Sequence, residues 1–167
     1  MNYLLPLLSV LLGYGVALLL KPQDKSRLKL LLAFSGSFLL SLTVIHLLPE
    51  VYEDHSHSVG IFIMVGILFQ IILEFFSKGA EHGHVHGHEI MTQIPWLLFI
   101  SLCLHALLEG LPVSHHHNLA FGIAIHHFPI AIILTTFLIH ARLNKAAIFG
   151  FMFTFALMTP LGTLLAE

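Results

Sequence analysis

The sequence predicts an all-α integral membrane protein, a bundle of six transmembrane helices forming a single domain over residues 1–167. Composition is the first reason. Hydrophobic residues make up 57% of the chain and charged residues 10%, and mean hydropathy is +0.91, whereas soluble domains carry about 25% charged residues. Spacing is the second. Apolar runs recur along the whole chain at roughly the ~20 residues that span a bilayer, separated by short polar connections. Charge placement is the third. All seven basic residues fall in three connections: Lys21, Lys25, Arg27 and Lys29, then Lys78, then Arg142 and Lys145.

Taken in order, the spans are about residues 3–20, 28–48, 59–76, 94–113, 119–138 and 146–166. The first is not a cleaved signal peptide by pattern, because its basic residues follow the apolar run instead of preceding it. With these spans, the basic connections are 1–2, 3–4 and 5–6, all on one side of the membrane. The positive-inside rule makes that side cytoplasmic and places both termini outside. The expected setting is a bacterial inner membrane. The net charge of −2 says little in such a protein, and the single Cys103 rules out an intrachain disulfide or a site built on paired cysteines. It reads as a small packing residue.

Against this background the polar residues inside the spans stand out, since an ionisable group at membrane depth costs several kcal/mol unless it is paired or faces a polar cavity. Span 4 carries His105-Ala-Leu-Leu-Glu109-Gly110, with His105 and Glu109 one turn apart on a shared face. Gly110 permits close approach of a neighbouring helix. Pro112 cannot donate to the Leu108 carbonyl, so that oxygen is expected to be free. Span 5 carries His126-His127-Phe128-Pro129. Consecutive histidines point about 100° apart, so one of them can face His105 and Glu109. His126 is the expected ligand, and His127 is either a further ligand or an interhelical hydrogen-bond partner. Imidazole plus carboxylate is ligand chemistry for zinc and related divalent metals.

Span 2 repeats the His-x-x-x-Glu spacing at its end, in His46-Leu-Leu-Pro49-Glu50. This is either an outer-pathway ligand pair or a polar helix end at the interface. Gln70 and Glu74 read as an interfacial pair, and His140 as an interface anchor. The connection Glu81-His82-Gly-His84-Val-His86-Gly-His88-Glu89 alternates histidine with small residues. It suits a flexible cytoplasmic metal-binding tract, or a solvated low-complexity loop. On the opposite side lie His55, His57 and the run His115-His116-His117.

These segments together resemble the ZIP (Zrt/Irt-like) family of divalent metal transporters. The matching pieces, in the family's order, are His46-Leu-Leu-Pro49-Glu50, the His-rich 3–4 loop, His105-x-x-x-Glu109-Gly110, His126-His127-x-Pro129 and Thr159-Pro160-Leu161-Gly162. The resemblance implies a central binuclear metal site between spans 4 and 5. His105, Glu109 and His126 match the primary site, and His127 the position that usually bears a second-site ligand. It also implies movement of a divalent cation into the cytoplasm, with zinc the first choice and iron(II), manganese or cadmium also suited to such ligands. Three positions depart from the family: Ile130 where a bridging ligand is usual, Ala106 where Asn is frequent, and a span 6 with no carboxylate before Glu167. A single central metal is therefore expected.

The family usually has eight spans, so the chain reads as a ZIP-like bundle lacking the last two, either a fragment or a short member, with the abrupt end favouring a fragment. The expected partners are the divalent metal substrate and the lipid bilayer, with a homodimer where six spans leave helix faces unpacked, and no nucleic acid. No enzymatic activity is expected. The alternatives are a six-span cation-diffusion-type exporter and an intramembrane zinc hydrolase with Glu109 as base. The first lacks its usual HxxxD pairs and soluble domain. The second gives the loop histidines no purpose.

Overall fold

One helix organises the rest. The computed structural model describes residues 4–22, 24–53, 58–77, 95–114 and 117–167, and among these every long element is helical. We number them α1 (Leu4–Leu20), α2 (Lys25–Leu42), α3 (Val59–Ser77), α4 (Trp96–Gly110), α5 (His117–His140) and α6 (Lys145–Leu165). α2 continues without a break through a π-helical turn, Thr43–Leu47, into a last α-helical stretch, Leu48–Glu53. Buried residues make up 72% of the apolar window within Leu119–His140 of α5, but only 6% of the apolar windows in α2 and α3. α5 lies against α1 and α2, while α4 packs on α3 and α6 and α1 also touches α6.

Among the described residues five helices are long and apolar enough to cross a membrane; α1 is equally apolar but 17 residues long. The outward faces of α2 and α3 carry Phe34, Leu40, Phe62, Met64, Leu68 and Phe75, all exposed. Side chains of this kind on an outer surface suit hydrocarbon, where an intact helix satisfies its own backbone polar groups. The chain is thus a multi-pass membrane protein.

Sequence accounts for the helix ends. Asp24 caps α2, its carboxylate accepting from the Ser26 and Arg27 amides at 2.9 and 3.4 Å, and Asn144 caps α6 by accepting from Ala147 N at 2.6 Å. Lys21 and Arg142, just after α1 and α5, take positive φ of 42° and 58°. At Arg142 the chain closes a paired turn, with Leu143 N donating to Leu138 O and Arg142 N to Ile139 O. α2 runs past Pro49 to Glu53 instead of ending near residue 48. The widened π turn lies just before that proline, whose ring would crowd the Ile45 carbonyl of a regular helix.

Close approaches fix how the helices sit. A Cβ on Gly13 of α1 would meet Phe128 O at 2.7 Å and the Ala131 side chain at 2.8 Å. Ser9 donates its hydroxyl to the Ala124 carbonyl across the same contact. Between α4 and α6 the fit is tighter still. A Cβ on Gly110 would collide with the Thr159 carbonyl, and one on Gly162 with the Leu107 carbonyl. Thr163 Oγ1 lies 3.0 Å from Gly110 O and 3.1 Å from Thr159 O. The main apolar core fills the space beside these seams with Leu102, Leu134, Leu138, Phe151, Met152 and Phe155.

Candidate metal centre

α4 and α5 bring three ligands of two types to one point. Among the described residues, His105, Glu109 and His126 are the group whose ligand atoms lie together, all within 4.8 Å of one another. His105 Nε2 is 3.2 Å and His126 Nε2 is 3.7 Å from the same carboxylate oxygen, Glu109 Oε1. Bonds of about 2.0–2.1 Å at tetrahedral angles would set ligand atoms about 3.3 Å apart. The group would hold a divalent metal once its ligand atoms, now within 4.8 Å of one another, draw together. His126 is buried, and His105 and Glu109 are partly so.

The remaining hydrogen bonds decide which atoms face that point. His105 Nδ1 lies 2.9 Å from Gln70 Oε1 on α3. A carbonyl oxygen only accepts, so in the neutral ring Nδ1 carries the proton and Nε2 presents its lone pair. His126 Nδ1 is 2.9 Å from Ser35 Oγ on α2, and that hydroxyl is also 3.0 Å from the His126 carbonyl. The hydroxyl has one proton, and with that proton on the carbonyl it accepts from Nδ1–H of a neutral ring. His126 Nε2 is then a second lone pair. Both face an acceptor oxygen of Glu109, an arrangement that favours a cation between them.

His127 takes a different place. Its Nε2 is 2.8 Å from Glu109 Oε2, the oxygen turned away from the other two histidines. Its ring meets Phe155 edge-on, with centroids 5.5 Å apart. It is 1% exposed, and Nδ1 has no hydrogen-bond partner, which assigns the proton to Nε2. As a donor to Oε2, His127 orients the carboxylate and stands outside the three-residue group. The interhelical hydrogen bond open to it in the sequence is formed.

Other expectations meet the structure unevenly. The Leu108 carbonyl is not free, because Leu111 N donates to it as α4 tightens into the 3-10 turn Leu111–Ser114. Gln70 is turned to His105 across the α3–α4 contact, a role that pairing it with Glu74 did not foresee. His46, in the π turn, and Glu50, just after it, are exposed on α2 and belong to no ligand group among the described residues. His140 Nδ1 donates to its own helix at Thr136 O, 2.7 Å away. Ile130 is buried in the apolar core with Leu98 and Leu134, and Ala106 in the same core. His55, His57, His82, His84, His86, His88, His115 and His116 lie outside the described residues. Ser35 was missed altogether; a serine in an apolar helix carries no spacing signal.

Comparison with known proteins adds to this geometry. No family profile matches the chain, and no solved structure does. Curated relatives do. The zinc transporter SLC39A7 of Rattus norvegicus is 31% identical over a stretch covering 40% of this chain and 18% of its own length. The Mus musculus protein is 32% identical with the same coverage, and the Homo sapiens protein is 32% identical over 38% of this chain and 18% of its own length. The chain thus spans about a fifth of the length of the curated relatives it matches. This similarity agrees with the ordered motifs, and the chain is ZIP-like.

Proposed function

We propose that this chain moves divalent metal cations, zinc first among them, across the membrane into the cytoplasm through the His105–Glu109–His126 site. The carrying observation is the convergence of two imidazole lone pairs and one carboxylate oxygen inside an apolar helical bundle. Water-exposed ligands could be an accident of composition. Inside apolar helices such groups are retained at a solvation cost, and a bound dication offsets it. The similarity to zinc transporters supports zinc over other metals that accept the same ligands.

A three-ligand site suits passage better than permanent storage. Structural zinc sites are closed by four protein ligands, whereas three leave a position where water or the next ligand can exchange. Glu109 supplies one negative charge against a dication, and neutral imidazoles supply none. A second adjacent dication would add a field that nothing among the described neighbours offsets. One metal at a time is therefore the proposed occupancy, with His127 holding Glu109 in place.

In the proposed topology six helices cross the bilayer, α1 included. Both described termini are outside, and the His-rich 3–4 connection is cytoplasmic. His46 and Glu50 then lie at the outer end of the path, and His82, His84, His86 and His88 at the inner end, where they buffer incoming metal. The test is uptake by the purified chain in proteoliposomes, with zinc, iron(II) and manganese in competition. Zinc-selective influx that vanishes in Glu109→Ala supports the proposal. Metal-dependent efflux, or influx indifferent to Glu109, would overturn it.

A further inference from the structure

We infer that Ser35 and Gln70 are positioning residues, holding His126 and His105 in the tautomer that turns Nε2 toward Glu109. They lie on α2 and α3, two helices that contribute none of the three ligands. The inference deepens the metal-site reading above and rests on it for its consequence, though not for its first observable.

An unrestrained neutral imidazole populates both tautomers, and one of them would place an N–H at the metal position. A ligand histidine is normally fixed by what its other nitrogen does. Here the two histidines are fixed by unlike means. Gln70 Oε1 is an acceptor at 2.9 Å from His105 Nδ1, so it admits only the Nδ1–H form. Ser35 is ambivalent by itself, since a hydroxyl can donate or accept. The backbone removes the ambiguity. The His126 carbonyl, 3.0 Å from Ser35 Oγ, takes the hydroxyl proton and leaves the oxygen to accept from Nδ1 of the same residue. Ser35 is 0% exposed, so no solvent competes for either bond. One hydroxyl thus grips both the main chain and the ring of His126, fixing rotation and tautomer together.

Glu109 does not do this job. Alone, its Oε1 would favour the opposite tautomer, because a carboxylate oxygen 3.2 Å from His105 Nε2 attracts an N–H there. Gln70 and Ser35 oppose that pull. Without them each histidine would donate to Glu109, and the site would close on itself as a hydrogen-bonded triad. Metal would then have to displace protons that the intact site does not hold at Nε2.

The experiment uses the full chain in lipid nanodiscs, labelled with 15N-histidine, without metal and then titrated with zinc. Imidazole 15N shifts separate the Nδ1–H and Nε2–H forms, and the His126 and His105 signals are assigned by their loss in His126→Asn and His105→Asn. Ser35→Ala should move His126 toward the Nε2–H form, and Gln70→Leu should do the same to His105. The conservative Gln70→Glu retains an acceptor and should restore the Nδ1–H form. Zinc affinity at the site, taken as the binding lost in Glu109→Ala, should fall by about 10–100-fold in Ser35→Ala and Gln70→Leu. Unchanged tautomers in both variants would overturn the inference. A shift of tautomer with zinc binding indifferent to Glu109 would leave the positioning role standing and sink the metal-site reading instead.

Discussion

The same five-residue spacing occurs twice in this chain, with different outcomes. His46 and Glu50 on α2, and His105 and Glu109 on α4, each place an imidazole and a carboxylate four residues apart. His46 and Glu50 are exposed. His105 and Glu109 are partly buried and meet His126, with Gln70 and His127 holding the back of each group. The spacing puts two side chains on one helical face in both cases. What differs is that a further helix brings His126 to the second carboxylate. A ligand site is a property of the junction, not of the pair.

The largest break in the comparison should come from the ligands. His105→Ala, Glu109→Ala and His126→Ala are each expected to lower zinc uptake into proteoliposomes by more than the ~100-fold upper range for losing an outer partner. Insertion, checked by detergent-extracted yield and monodispersity, should be intact. Wild-type uptake in any one would remove that residue from the site.

Next in size is His127. His127→Leu removes the donor to Glu109 Oε2 at a buried position and should cut uptake by about 10–100-fold. His127→Gln keeps a donor and should recover part of it. A ligand role for His127 predicts instead that zinc-edge absorption fine structure of the loaded chain, with the loop histidines removed, loses an imidazole in His127→Gln.

The seam between α4 and α6 should respond in stability before it responds in chemistry. Gly162→Val forces methyl groups against the Leu107 carbonyl. Overpacking of this kind costs about 1–3 kcal/mol or more, readable as a lowered melting temperature in detergent. Gly66→Val on α3, where nothing lies within 4 Å of a Cβ, should leave the melting temperature near that of the parent chain.

The smallest effects belong to the other member of the comparison. His46→Ala and Glu50→Ala should change uptake by only a few fold, through capture at the outer end of the path and with the central affinity retained. Deleting residues 81–89 should preserve uptake and alter its response to metal load. If either change abolished uptake in a well-inserted protein, the two His-x-x-x-Glu pairs would be equals after all.

Much of this arrangement was legible in the sequence. Long apolar runs announced membrane helices because a bilayer demands ~20 apolar residues at a stretch. His105, Glu109 and His126 announced themselves because hydrocarbon makes such residues expensive. Their supports were not legible, for a physical reason. The hydroxyls of Ser41, Thr43 and Thr136 donate to carbonyls four residues back in their own helix, as such residues can anywhere in a helix. Ser35 has the same chemistry and reaches another helix. Nothing within α2 distinguishes the two behaviours; only the position of α5 does. Gln70 was visible as a polar residue, but its partner depended on how α3 and α4 pack. The π turn was hidden likewise, since span 2 was expected to end near residue 48 and the chain widened one turn instead.

The glycine seam has a mechanical meaning. Side-chain tips ride about 5–6 Å from a helix axis, so rotating α4 by 10° would carry the Glu109 carboxylate roughly 1 Å sideways. Metal bonds tolerate about 0.2 Å, which corresponds to only a few degrees. Gly110, adjacent to that carboxylate in sequence, is locked against Thr159 and Thr163 on α6. α6 supplies no ligand to the group, yet it works as a key in a slot, setting the angular tolerance to which the site is held.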